Sequence, residues 1–215
     1  MKNTIFLLLS AFCSLSLHAQ MEAYTANGDT VLLFDNGKWD YKNNQVASEE
    51  TEEKSLPPFN PEKFSKPKSA KEVAKGKNGA YEIWYNASKW DRSVKKNQDG
   101  TDMEFNLTNK EGFVLTIFER AEFPLNTLRD VALLNAERVA TEFEILKEEM
   151  RTVNGREILC LQFAATIQGV KFIYMGYYTS FSEGSLQILA FSYQNLFKEF
   201  EPHFEDFLNG LIIKE

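Results

Sequence analysis

The sequence predicts an α+β fold, an antiparallel β-sheet flanked by helices as an α/β/α sandwich, preceded by a small β-meander. Three observations carry the expectation. Consecutive runs rich in β-branched and aromatic residues are joined by short glycine-bearing turns, which force antiparallel neighbours. The middle runs, such as Ile158-Leu159-Cys160-Leu161-Gln162-Phe163-Ala164-Ala165, are apolar on both alternating faces, so their sheet needs cover on both sides. Two segments with apolar residues at helical spacing supply that cover.

The chain opens on Met1-Lys2-Asn3, a serine-interrupted apolar stretch to Leu17, and a small residue at Ala19. Residues 1–19 read as a signal peptide cut after Ala19. The stretch falls short of the roughly 20 apolar residues that a spanning helix needs. Cys13 follows Phe12, where a lipidation signal would put small residues. The expectation is an extracytoplasmic protein, periplasmic or secreted, with no transmembrane segment after cleavage.

Residues 20–41 hold two Asn-Gly pairs, Asn27-Gly28 and Asn36-Gly37, between short β-rich runs, and read as a three-stranded meander. Residues 42–77 carry Glu49, Glu50, Glu52 and Glu53, then Pro57, Pro58, Pro61 and Pro67, then a lysine series from Lys63 to Lys77. So little apolar surface cannot offset the cost of ordering, and the segment reads as a flexible linker rather than as a lysine patch for an acidic surface.

Residues 78–215 form the main domain. Tyr81, Ile83 and Tyr85 alternate in one strand, Met103, Phe105 and Leu107 in the next, and residues 113–118 make a third, giving an antiparallel start. Pro124 leads into a helix in which Thr127 and Asp130 resemble a capping box, with Leu128, Val131, Ala132, Val139 and Phe143 on one face. Four strands follow, near 143–153, 156–167, 170–181 and 185–193, joined at Asn154-Gly155, Gln168-Gly169 and Ser182-Glu183-Gly184. The last helix, about 195–209, puts Leu196, Phe200, Phe204, Phe207, Leu208 and Leu211 on one stripe, with Gly210 as its stop. Pro202 must sit in its first turn or bend it.

This order, with Trp90 after the first strand, Asn154-Gly155-Arg156 at a hairpin and the spacing Phe197, Phe200, Pro202, Phe204, Phe207, Leu208, Gly210, Leu211, resembles the Mog1/PsbP-like family over residues 79–215, and its secreted bacterial members most. The resemblance implies an antiparallel sheet between helices. It also implies binding and assembly work rather than catalysis, and supplies no catalytic motif. The shorter pattern Thr25, Gly28, Val31, Leu32, Leu33, Gly37, Trp39, Tyr41 resembles an element of secreted bacterial proteins of unknown function.

Net charge is −7, and residues 78–215 alone carry 21 acids against 14 bases, so nucleic acid and anionic membrane surfaces are poor partners. After the leader one histidine remains, His203, which reads as a solvated or capping residue on the outer side of the last helix. No G-x-S-x-G, H-E-x-x-H or C-x-x-C motif is present, and no metal site or cofactor is expected. Within Phe172-Ile173-Tyr174-Met175-Gly176-Tyr177-Tyr178, Tyr174 and Tyr178 share one face and Tyr177 takes the other. Tyr174, Tyr177, Tyr178 and Trp90 are the candidate ligand-binding residues, weighed against a plain central strand. Gly176 would admit a close approach by backbone or ligand.

Two functions of different class remain open. One is a non-catalytic extracytoplasmic binding or assembly module whose partner is a protein or another envelope component. The alternative is a hydrolase or lyase working through convergent carboxylates.

Cys160, between Leu159 and Leu161, is expected to be buried and unreactive, because an apolar setting raises a thiol's pKa. Native protein should resist a thiol reagent that labels the unfolded chain at once. Rapid native labelling would contradict this.

Overall fold

The computed structural model describes residues 21–24, 30–33, 39–41, 55–93 and 100–214, and the chain divides into two units between Glu53 and Lys54. In the first, β1 (Met21–Tyr24), β2 (Thr30–Leu33) and β3 (Trp39–Tyr41) pair antiparallel in the order β1-β2-β3. The two Asn-Gly turns, the leader over 1–19 and residues 42–54 lie outside the described residues.

The second unit runs β4 (Phe59–Phe64), β5 (Glu72–Lys75), β6 (Tyr81–Tyr85), β7 (Trp90–Arg92), β8 (Thr101–Leu107), β9 (Gly112–Glu119), α1 (Leu125–Val139), β10 (Glu142–Val153), β11 (Arg156–Ile167), β12 (Val170–Phe181), β13 (Gly184–Tyr193), α2 (Gln194–Leu208) and β14 (Leu211–Ile213). Eight strands form one sheet, β4-β10-β11-β12-β13-β9-β8-β7, and three form another, β14-β6-β5. The long meander from β10 to β12 is set by its turns. Asn154-Gly155 and Gln168-Gly169 both have positive φ at both positions (51° and 85°, 52° and 79°), the geometry that continues the strand twist through a two-residue hairpin.

Side-chain alternation then sorts the core into two layers. Leu186, Ile188 and Ala190 of β13 face α2 together with Ile158, Cys160, Met175 and Tyr177. Leu159, Leu161, Phe163 and Tyr178 face α1, meeting Leu128, Ala132 and Leu133. The α2 layer is aromatic: Phe207 lies 4.8 Å, centroid to centroid, from both Trp90 and Phe105, and Phe204 lies 6.1 Å from Trp90. A helix on each face is thus the arrangement expected, but strands dominate, and the small sheet adds to the α2 side.

Several expectations are corrected. The linker read over 42–77 does not hold for Phe59–Phe64 or Glu72–Lys75, which are strands, so the second unit takes in residues ahead of 78. β4 pairs parallel with β10, which makes the large sheet mixed rather than antiparallel throughout. Nothing local signals such a strand, since a parallel pair needs no hairpin. Its exposed side chains, its Pro61 and its Lys63 are what an edge strand carries.

β6 leaves the first hairpin and joins β5 and β14 instead. Thr127 and Asp130 do not cap: Pro124 takes the N-cap position of α1 without a side-chain bond, and Thr127 is already helical. Val131 and Val139 are exposed, while Phe143 belongs to β10, because α1 packs through Leu128, Ala132 and Leu133. Pro202 sits in the interior of α2, where its missing N–H leaves one helical bond unmade, and Leu211 belongs to β14.

One buried ion network joins β4, β10, β12 and α2. Arg151, 2% exposed, donates from Nε to Glu149 Oε1 (2.5 Å) and from Nη1 to the Tyr177 hydroxyl (3.1 Å) and to Glu205 Oε1 (3.3 Å). Its guanidinium lies over the Phe64 ring at 4.5 Å. Asn60 Nδ2 donates to Glu149 Oε2 (3.0 Å), and the Tyr177 hydroxyl donates to Asn209 Oδ1 (2.8 Å). Burial opposes the Glu149 charge, but Lys147, Arg151 and Asn60 outweigh it and hold the carboxyl below its usual range.

Asn154 works beside this network. Its Nδ2 donates to the carbonyls of Asn209 (2.9 Å) and Leu211 (2.8 Å), and its Oδ1 accepts from Lys66 N (2.8 Å).

Limited proteolysis is expected to leave a resistant core that retains Phe59–Lys75. A core starting near residue 78 would overturn the β4 and β5 pairings.

Arg151→Ala is expected to cost about 3–5 kcal/mol in denaturant unfolding, because it takes from the buried Glu149 carboxylate its buried cation, leaving it Lys147 and Asn60, and removes the group packed on Phe64. The paired change Glu149→Gln with Arg151→Met should recover most of that. An equal loss in the paired variant would refute the account. Since the folded carboxyl titrates below the unfolded one, the Glu149 contribution is whole above about pH 4.3 and is lost as pH falls through the lower folded value.

Candidate ligand-binding groove

α1 packs on β10, β11 and β12 and stops short of β13 and β9 on the same face. Along its open side lies a groove of ≈ 290 Å³. One wall is the helical stripe Ala132, Asn135, Ala136 and Val139, and the floor includes Phe163, Tyr174, Tyr178 and Leu189. Two short alanines, where larger side chains would fill the space above the sheet, leave the groove open.

Register places the floor residues in rows. Tyr178 pairs with Gln187, which pairs with Ile117; Glu119 follows Ile117 on the same face. Gln187, Ile117 and Glu119 line the groove with Asn135, so its polar side chains besides Tyr174 and Tyr178 are Glu119, Gln187 and Asn135. Farther along, Phe163, Tyr174, Phe191 and Phe113 are register partners on four adjacent strands, with successive ring centroids at 4.9, 5.1 and 5.3 Å. Cross-strand aromatic pairs of this kind stabilise a sheet. Phe113 and Phe191 remain only half-buried.

The Tyr178 ring lies down over Gly176. A β-carbon built at Gly176 would come within 2.7 Å of the ring and 2.9 Å of its hydroxyl. The space that Gly176 was expected to offer a ligand is therefore taken by the neighbouring tyrosine. Tyr178 is 1% exposed. Burial pushes its pKa up, and burial also raises that of Tyr174.

Of the four candidate residues, Tyr174 and Tyr178 line this groove. Tyr177 does not: it points to the α2 layer, bonded to Arg151 and Asn209. Trp90 is 3% exposed in the aromatic cluster, and the hollow it borders has only ≈ 10 Å³. The sequence reading missed the α1 stripe. Its signal is Ala132 and Ala136 one turn apart beside Val139, a small-residue edge on a helix otherwise lined with larger apolar groups.

His203 is half-buried rather than solvated. Its Nδ1 accepts from Lys89 Nζ (3.3 Å), and burial, with Lys89 next, lowers its pKa. Cys160 is 1% exposed, and burial pushes its thiol up to about 12. Among the described residues no group of three or more His, Cys, Asp or Glu is placed to hold a metal ion, and no helix is long and apolar enough to cross a membrane.

No family model and no curated protein matches the chain. Solved structures resemble it in part. Cyanobacterial PsbP (CyanoP) from Synechocystis sp. PCC 6803 is 13% identical over 66% of this chain and 92% of its own, with a TM-score of 0.49. LpqN of Mycobacterium tuberculosis, described as involved in cell envelope biogenesis, is 9% identical over 63% and 83%, with a TM-score of 0.48. A Pseudomonas aeruginosa protein of unknown function, PA94, described as a putative regulator, is 10% identical over 67% and 97%, with a TM-score of 0.44. Likeness at this level assigns neither family nor activity.

Proposed function

We propose that this chain is a non-catalytic extracytoplasmic binding module of Mog1/PsbP-like type, whose ligand sits in the groove between α1 and the sheet. The observation that carries the reading is the groove itself: ≈ 290 Å³ beside α1, floored by Phe163, Tyr174, Tyr178 and Leu189, with Glu119, Gln187 and Asn135 as polar lining. An apolar concavity with a few polar side chains is the usual form of a small-molecule site.

The groove's described lining holds one carboxylate, Glu119, where carboxylate-pair hydrolysis calls for two. That favours binding over the hydrolase alternative. The tethering of His203 Nδ1 by Lys89 weighs the same way, since a general base needs its lone pair free. The leader-like residues 1–19 support the extracytoplasmic part.

A neutral apolar fluorophore, N-phenyl-1-naphthylamine, tests the site. Saturable enhancement is expected with the native protein. Ala136→Trp, which fills the groove from a half-buried helix position, should weaken it at least tenfold, about 1.4 kcal/mol, without changing the melting curve. No saturable binding, or equal binding by the variant, would overturn the reading.

A further inference from the structure

We propose that the groove takes a small organic cation, a primary amine on an unbranched apolar chain, with its ammonium toward Glu119 and its chain along the α1 wall. The proposal rests on the binding reading above and adds the chemical class of the ligand. Size comes first. At ≈ 290 Å³ the groove is at the small end of ligand pockets, roughly 300–1,000 Å³. Its helical wall from Ala132 to Val139 is about 10 Å long at 1.5 Å per residue. That suits one extended chain and not a two-chain lipid.

Charge decides the head group. The described residues lining the groove include Glu119 but no lysine or arginine. Glu119, Asn135 and Gln187 make no side-chain hydrogen bond to other described residues, so their oxygens are available to an N–H donor. An alkanoate would meet Glu119 with like charge and find no cation to pair with. An ammonium finds the carboxylate and two amide oxygens, and the aromatic faces of Phe163, Tyr174 and Tyr178 also attract cations. The net charge of −7 draws a cation toward the protein from farther off.

The test is displacement of N-phenyl-1-naphthylamine by octylammonium, octanol and octanoate, each below its aggregation limit. A contact charge pair in water is worth about 1 kcal/mol, a factor of about five. Octylammonium should therefore displace the dye at roughly fivefold lower concentration than octanol, with octanoate weakest, and the preference should shrink with added salt. In Glu119→Gln, with the dye's own affinity for the variant measured first, the preference over octanol should vanish. Octanoate equal to or better than octylammonium, or an unchanged preference in Glu119→Gln, would overturn the ligand class and leave the groove reading standing. Failure of the dye itself to bind would overturn both.

Discussion

The second unit hangs on one buried guanidinium. Arg151 is held by groups from three other elements: Asn60, acting through Glu149, and Phe64 from β4, Tyr177 from β12, and Glu205 from α2. A buried charge tolerates little misplacement, because each lost partner leaves a desolvation cost uncompensated. The geometry of β4 at one edge and of α2 on one face is therefore tied to a single side chain on β10. Hydrophobic contact alone is less demanding of position, as it has no direction.

The other face is under no such constraint. α1 meets the sheet through three buried aliphatic residues and reaches only part of the way across it. Close packing is the rule in protein interiors, so an apolar gap of this size beside a helix is informative. It exists because Ala132 and Ala136 are short and because Gly176 lets the Tyr178 ring lie flat, lowering the floor. The same flattening brings the tyrosine hydroxyl down beside Gly176.

Much of this was legible in the sequence. The glycine turns gave the long meander its register, the strands from residue 142 to 193 fell close to their expected bounds, and the facing of Tyr174 and Tyr178 away from Tyr177 followed from alternation alone. What escaped were elements whose stability is not local. β4, β5 and β14 are short and mostly exposed or half-buried, so their residues carry no strand pattern and gain order from partners far along the chain. The capping pair failed because Pro124, three residues ahead of Thr127, takes the N-cap position. The groove escaped because it depends on how far a helix reaches, which side-chain periodicity does not encode. Gly176 was singled out correctly as a close-approach site, but its occupant was the residue two positions away.

The parallel pairing of β4 with β10 also orders events in time. Phe59 must wait for Met150, and Phe64 for Val153, so this contact closes a loop of about ninety residues, whereas each hairpin of the meander closes over a few. Long loops are slow to close and are rewarded only afterwards. The β10 edge is consequently bare through the early life of the folding chain, and an uncovered edge is a template for another molecule. Pro61 and the neighbouring lysines make β4 a poor partner for strays until Asn60 and Phe64 find Glu149 and Arg151. Within the large sheet, the pairing that closes the longest loop is thus the one whose docking both completes the ion network and covers the β10 edge.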